Sequence, residues 1–379
     1  MFAGGIFIWL IRSTNPVDLI TAMISTFSQY RTYDIILALY FVMCLEIELR
    51  LSGALTDMVK ALRRIFSSFK ILLAVMPAFL GLLPSVGGAR FSAPIVEELS
   101  TKLKITASHK AAINFWFRHL FEFSSPIIPG MIMACSIAGV TFSEFLRHLS
   151  WLTVLAFSVG WFVLIRPIKI EHEVKSKETA AELRHENYGL IISLGSVVSI
   201  FLIVVLGGLN ASTATALVVI AMFFVLIAVR RFVSIKDIFL GALDLKMVAN
   251  IACILYFVEM LTITNVLHEI VSAFQNSPLP ISAIIACVSL IIGILTGMSQ
   301  GHVAIVMPIV AAMDTGNLDL AGIAMAFGVA GQMLTPTHFC LIVTIDYFKT
   351  DIFSTLKPIL ICEIIILTIF SIYTYLTGI

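Results

Sequence analysis

Leu83-Pro84-Ser85-Val86-Gly87-Gly88-Ala89-Arg90 and Thr296-Gly297-Met298-Ser299-Gln300-Gly301-His302 are two short, glycine-containing polar runs, each set in the middle of an apolar segment, 71–99 and 280–313. Such runs interrupt a helix, and irregular backbone at membrane depth is tolerated only where it is buried in protein or lines a cavity. The flanks decide how the breaks are used. Lys60, Arg63, Arg64 and Lys70 precede the first segment and Lys102, Lys104 and Lys110 follow it, whereas the connections 265–279 and 313–320 around the second contain no Lys or Arg. Basic loops stay on the cytoplasmic side, so each segment must enter and leave on the same side. Both are predicted to be re-entrant helical hairpins, one opening from each face.

The composition agrees with a membrane setting. Of 379 residues, 59% are hydrophobic and 12% charged, half the charge of an ordinary soluble domain, about 25%. Apolar runs near the roughly 20 residues that cross a bilayer lie at 34–50, 111–138, 149–166, 188–208, 212–229, 247–264, 320–347 and 357–378. Phe2 to Ile11 stops at Arg12 and is expected to be a short helix, or one that the reading frame enters part-way, without a removable signal peptide. Basic (24) and acidic (23) residues nearly cancel, and no basic stripe with interleaved aromatics is present, so nucleic acid is not an expected partner. The six cysteines lie far apart in apolar runs, in no spacing that closes a disulfide or a zinc site; they read as small buried apolar residues.

The two hairpins belong to a larger duplication. Asp34–Ile47 laid on Asn250–Ile263, an offset of 216, matches at seven of fourteen positions. Ser85-x-Gly87 with Pro94 then answers to Ser299-x-Gly301 with Pro308, Ser125-Pro126 to Thr335-Pro336, and the arm around Phe145 to that around Phe353. Because the hairpins open from opposite faces, the halves should be related by an axis in the membrane plane. The expected fold is an all-α polytopic membrane protein of about nine spans plus two hairpins. Repeat 1 covers 1–166 with a Pro-broken helix at 111–138, a solvated cytoplasmic linker covers 167–187, and repeat 2 covers 188–379 with a Pro-broken helix at 320–347. The stretches 13–30, 53–69, 235–246 and 266–275 read as amphipathic arm helices lying in the interface. Inverted repeats with broken helices are the build of a secondary transporter, with its site near the midplane.

On these residues the chain resembles the ion-transporter superfamily, which includes sodium/dicarboxylate symporters, gluconate and citrate permeases and arsenite permeases. LPSVGGARFSAP at 83–94 and GQMLTPTHFCL at 331–341 look most like a prokaryotic branch of it. The resemblance implies a homodimer in the inner membrane, with a static scaffold and a transport domain moving as an elevator. Topology then puts the N-terminus in the cytoplasm and the C-terminus outside. The dicarboxylate symporters carry Ser-Asn-Thr at their hairpin tips where this chain has Ser85-Val86-Gly87 and Ser299-Gln300-Gly301, a departure that speaks against a dicarboxylate substrate.

The breaks also supply ligands. Pro126 frees the carbonyl of Glu122 and Pro336 that of Gln332, since proline has no N–H and crowds the carbonyl four residues back. With the hydroxyls of Ser124, Ser125 and Thr335 and the tip groups of Ser85 and Ser299, these are hard oxygen donors of the kind that hold sodium; proton coupling is the alternative. No other cofactor is expected. Arg90 follows the Gly87-Gly88 break near a half-helix N-terminus, where amides favour an anion, and its counterpart is the uncharged Ala304. Ser85, Gly87, Gly88, Gly301, His302 and His338 line the same elements, and Gln300, Thr337 and Asn114 could add neutral hydrogen bonds to a substrate. Arg118 and Glu122, four apart, read as an ion pair on one helix face, and Glu46, Glu48 and Asp346 as interfacial groups. The expected function is therefore secondary active transport of a small, carboxylate-like anion. Competing readings are a cation-coupled exporter of a neutral or cationic compound and, more distantly, an intramembrane serine protease built on Ser299 and His302.

The hairpin topology makes a direct prediction. Single cysteines placed near Lys70 and Lys102 should both be labelled by an impermeant maleimide from the cytoplasm, and those at Asn276 and Asn317 both from outside. Opposite-side labelling within either pair would sink it.

Overall fold

A computed structural model describes residues 1–12, 15–66, 68–82, 89–101, 103–169 and 180–377, the side chains of Arg90 and 180–186 excepted. The chain opens with α1 (Phe2–Arg12), α2 (Pro16–Ser28), the long α3 (Tyr30–Leu51) and α4 (Ala54–Ile65). The first hairpin limbs are α5 (Phe69–Gly81) and α6 (Ala89–Ser100), followed by α7 (Ala107–Arg118), α8 (Pro129–Ala138) and α9 (Phe142–Gly160). Next come α10 (Ala180–Val205), α11 (Ala211–Ala228), α12 (Ile235–Gly241), α13 (Leu245–Ile263) and α14 (Val266–Gln275). The second set is α15 (Ile281–Thr296), α16 (Ser299–Met313), α17 (Leu318–Met333), α18 (Phe339–Phe348) and α19 (Ile352–Thr377). Among the described residues there is no strand.

Among the described residues, five helical stretches are long and apolar enough to cross a membrane: 142–165, 187–205, 211–228, 235–263 and 352–377. They answer to five of the eight predicted crossings, as expected of a multi-pass membrane protein. The predicted spans 111–138 and 320–347 are each two short helices around a proline. The span 34–50 is continuous within α3 but carries charge at both ends. Part of that charge is satisfied locally, Asp34 accepting hydrogen bonds from Asn210 (2.7 Å) and Ser212, and Glu46 pairing with Arg50 at 3.0 Å. Glu48, expected at the interface, is instead fully buried, because the face of α3 that carries it is covered by the rest of the protein. α10 begins at Ala180, inside the predicted linker, of which 170–179 lie outside the described residues.

The hairpin limbs are too short to span. At 1.5 Å per residue, α5, α6, α15 and α16, of 13, 12, 16 and 15 residues, reach about 18–24 Å against roughly 30 Å of hydrocarbon. Within each pair the limbs pack on one another.

The element order of α3–α9 recurs in α13–α19, and the same local devices recur with it. A left-handed residue turns the chain from long helix to amphipathic arm at Gly53 (φ 75°) and at Asn265 (φ 62°). Thr106 and Asn317 cap α7 and α17 by accepting from the amide three residues on, at 3.2 and 2.9 Å. Left-handed Gly139 and Lys349 close α8 and α18, and two residues later Thr141 and Asp351 cap α9 and α19. Packing crosses between the sets. The leading helices α1 and α2 pack on α13 while α11 and α12 pack on α3, and hairpin limb α6 packs on α18 while α16 packs on α8.

Three apolar cores form among the described residues. The largest runs through the hairpins, α7–α9, α17–α19 and the N-terminal half of α3; a second joins the C-terminal half of α3 to α10, α11 and α12; a small third packs Ala22 of α2 on Tyr256 and Met260 of α13. Backbone contact is closest where glycines meet carbonyls: a Cβ on Gly81 would strike the carbonyl of Arg118, and one on Gly331 that of Leu290. Gly331→Ala should therefore lower thermal stability by about 1–3 kcal/mol, the usual cost of overpacking. Gly195→Ala, whose Cβ meets nothing within 4 Å, should be neutral or slightly stabilising. Heat unfolding of the detergent-solubilised protein checks both.

Candidate functional site

α17 stops just ahead of its proline, whereas α7 stops eight residues before Pro126, so the carbonyl of Glu122 lies in a 3-10 turn and not in an α-helix that Pro126 interrupts. α7 ends at Arg118, a 3-10 turn covers Leu120–Phe123, and the chain passes Ser125-Pro126 before α8 starts at Pro129. α17 ends at Met333 and α18 starts at Phe339, past Thr335-Pro336. Both breaks hold themselves in the same way, the hydroxyl oxygens of Ser125 and Thr335 accepting from the amides of Ile127 (3.4 Å) and Thr337 (3.3 Å). Ser124 accepts from Thr153 at 2.8 Å.

The tip of the second hairpin sits between these two breaks. Gly297 closes α15 in the left-handed region (φ 65°), and a Cβ there would lie 2.7 Å from Thr337 Oγ1 and 3.2 Å from Thr335 Cγ2. On the other side, a Cβ on Gly130 in the first turn of α8 would lie 2.5 Å from Ser299 Cβ. Only glycine at both places lets the tip seat against both broken helices. Gly301 packs on the side chain of Thr296, and Gln300 is half-buried in the first turn of α16.

Buried polar atoms gather here. Glu122 lies beside Ser299 and Gln332, and its Oε2 has no hydrogen-bond partner. Gln332 is 1% exposed, with neither side-chain polar atom partnered. His302 is wholly buried against Gly328, both ring nitrogens without a partner. Asn114 donates to Thr344 Oγ1 on α18 at 3.1 Å, while its Oδ1 stays unpartnered. An unsatisfied buried polar group costs about 1–3 kcal/mol, so a concentration of them marks a functional place rather than a packing solution.

Several predicted residues have other surroundings. Arg118 and Glu122 do not share a helix face, because the helix ends between them. Arg118 reaches Ser92 Oγ at 3.5 Å and lies beside Cys340. It also lines a cavity of about 370 Å³ together with Arg50, Lys60 and Arg63 and the acids Glu46 and Glu98, the last held by a two-pronged bond from Arg63 at 2.5 and 2.6 Å. The carbonyl of Gln332 accepts from His338 Nδ1 at 3.0 Å, and Thr337 is exposed. Asp346 is exposed and pairs with Lys349 at 3.1 Å. Ser85, Gly87 and Gly88 lie outside the described residues, as does the side chain of Arg90, whose backbone opens α6.

Three residues at the site escaped the sequence reading. His119 ends α7 with Nε2 3.1 Å from Nε2 of His338, and Cys340, taken for an apolar filler, lies with them. Glu363 of α19 is buried and lines a cavity of about 10 Å³ with His119. His119 and His338 are 219 positions apart, so no local motif announces the pair.

A family model described as a protein of unknown function, DUF401, matches residues 2–377. No curated protein matches the sequence. Among solved structures, the crystal structure of the Alcanivorax borkumensis YdaH transporter, described as having an unusual topology, superposes with a TM-score of 0.64 at 12% sequence identity, covering 94% of this chain and 86% of that one. The fold is thus similar to that of a transporter.

The tip seating can be tested by a double-mutant cycle. Gly130→Ala should cost about 1–3 kcal/mol in thermal stability, and Ser299→Gly, which removes the Cβ it strikes, should restore much of the loss. Strictly additive effects would show that the tip does not rest on α8.

Proposed function

The chain belongs to the DUF401 family, and we propose that it is a secondary active transporter of a small anionic solute, coupled to sodium or protons. The observation that carries this reading is the second hairpin's tip seated between two proline breaks, amid buried polar atoms that no protein group satisfies. Irregular backbone and unpaired polar atoms at membrane depth are expensive unless they serve a passing ligand. The similar fold of a transporter supports the same class.

The recurring caps and the crossed packing of the two halves support an inverted repeat, with repeats over 1–166 and 188–379, and with it a relationship to the ion-transporter superfamily. The apolar core that joins α10–α12 to the C-terminal half of α3, beside the larger one through the hairpins and broken helices, supports a division into a scaffold and a moving part, with α3 contributing to both. An elevator motion between them, a homodimer and a prokaryotic inner-membrane location, N-terminus in the cytoplasm, complete the proposal. In it Ser85, Ser124, Ser125, Thr335, Ser299, Glu122 and Gln332 hold the coupling cation. Arg90 with the tip groups Ser85, Gly87, Gly88, Gln300 and Gly301, and with Asn114, His302, Thr337 and His338, receives the substrate. A serine-protease reading has little support, since neither ring nitrogen of His302 is bonded to Ser299.

Sodium should raise the melting temperature of the purified protein, and Ser125→Ala or Thr335→Ala should weaken that dependence. Arg90→Lys should keep the fold but lose on the order of 2 kcal/mol of anion affinity, about thirtyfold, because lysine lacks the guanidinium fork. Calorimetry against small carboxylates and oxyanions reads the second effect; unchanged binding by Arg90→Lys would leave the exporter of neutral or cationic compounds as the better account.

A further inference from the structure

We infer that His119, His338 and Cys340 form a binding site for a thiophilic transition-metal cation, placed where the two broken helices meet. His119 ends α7, His338 precedes α18 and Cys340 lies in the first turn of α18. Their ligand atoms all fall within 4.8 Å of one another.

The argument rests on where the ring protons must be. His119 Nδ1 is 2.7 Å from the carbonyl oxygen of Phe115, and His338 Nδ1 is 3.0 Å from that of Gln332. A carbonyl oxygen only accepts, so each Nδ1 carries the hydrogen, and in a neutral imidazole Nε2 is then a bare lone pair. The two Nε2 atoms face each other at 3.1 Å, with the rings at 90°. Two lone pairs at that separation repel, and a cation between them turns the repulsion into two bonds.

The spacing suits a metal. Zinc sits about 2.0–2.1 Å from imidazole nitrogen and about 2.3 Å from thiolate sulfur, so tetrahedral ligands place two nitrogens about 3.3 Å apart and nitrogen and sulfur about 3.6 Å apart. The histidine pair already has nearly that bite, and the thiol closes by about 1 Å through its own side-chain torsion. An Nδ1–H bonded to a backbone carbonyl is also the arrangement that orients metal-binding imidazoles. Charge is balanced nearby: Arg118 lies beside Cys340 and Glu122 is close to it, so a thiolate there would not stand alone. A shared proton would relieve the nitrogen contact too, but it would make no use of the thiol. The ion would tie the end of α7 to the start of α18, joining the two halves of the chain. None of its three ligands belongs to the sodium set proposed above, and only His338 is shared with the proposed substrate set, so His119 and Cys340 test the metal site apart from transport.

The test uses the full chain, stripped with EDTA in detergent and titrated with Co²⁺. One Co²⁺ per chain should bind, with visible d–d bands and a near-ultraviolet thiolate-to-cobalt charge-transfer band. Cys340→Ser should abolish the charge-transfer band, and Cys287→Ser, at an exposed cysteine, should leave it intact. His119→Gln and His338→Gln should each weaken Zn²⁺ binding at least about tenfold, the loss that even outer-shell changes produce. X-ray absorption on the zinc-loaded wild-type protein, which needs no variant, should show one sulfur and imidazole nitrogens in the coordination shell. Absence of the charge-transfer band in the wild type, its survival in Cys340→Ser, or an all-oxygen shell would overturn the site and leave a proton as the bridging cation.

Discussion

A peptide group inside a bilayer has no water to bond, so a helix that breaks there must satisfy its freed donors and acceptors from the protein itself. The two proline breaks meet this constraint in matching ways. Ser125 and Thr335 accept from the amide two residues on, His338 takes the carbonyl of Gln332, and Thr153 bonds Ser124. Once the breaks are held, the glycine-bearing tip at Gly297 can rest against one of them and Ser299 against the half-helix beyond the other. The remaining polar atoms of Glu122, Gln332 and His302 are left over from that accounting, which is why they point to function.

The same constraint organises the larger fold. Short hairpin limbs cannot cross the hydrocarbon alone, so they pack on one another and on the short pieces of the broken helices, and glycine lets α15 meet α17 and α5 meet α7 at backbone distance. Each half lends its leading helices to the long helix of the other, and each second limb rests on the other half's broken helix. Neither half has a complete partner set without its counterpart. α10–α12 share an apolar core with the C-terminal half of α3, whose N-terminal half joins the larger core of the hairpins and broken helices.

Histidines 119 and 338 show how a broken helix can create chemistry. The C-terminal carbonyls of a helix lack intrahelical partners, and an imidazole that donates Nδ1–H to one of them must present Nε2 outward. Two helix ends meeting head to head therefore bring two Nε2 atoms together, and a cysteine in the next turn completes a soft donor set. The constellation follows from helix termination as much as from residue identity.

Much of the architecture was readable from local pattern. Hydropathy marked five of the predicted crossings and the short helix pairs at 69–100 and 281–313, and Pro126 and Pro336 marked the interrupted helices, because helix length and proline stereochemistry act over short stretches of chain. Tertiary structure alone decided the rest. The ending of α7 at Arg118 dissolved the expected Arg118–Glu122 pair, burial moved Glu48 from the interface to the interior, and folding brought His119 to His338 and Cys340. Those outcomes depend on contacts between residues as much as 219 positions apart, whose energies are set by which helix ends meet in space, and no spacing along the chain encodes that meeting.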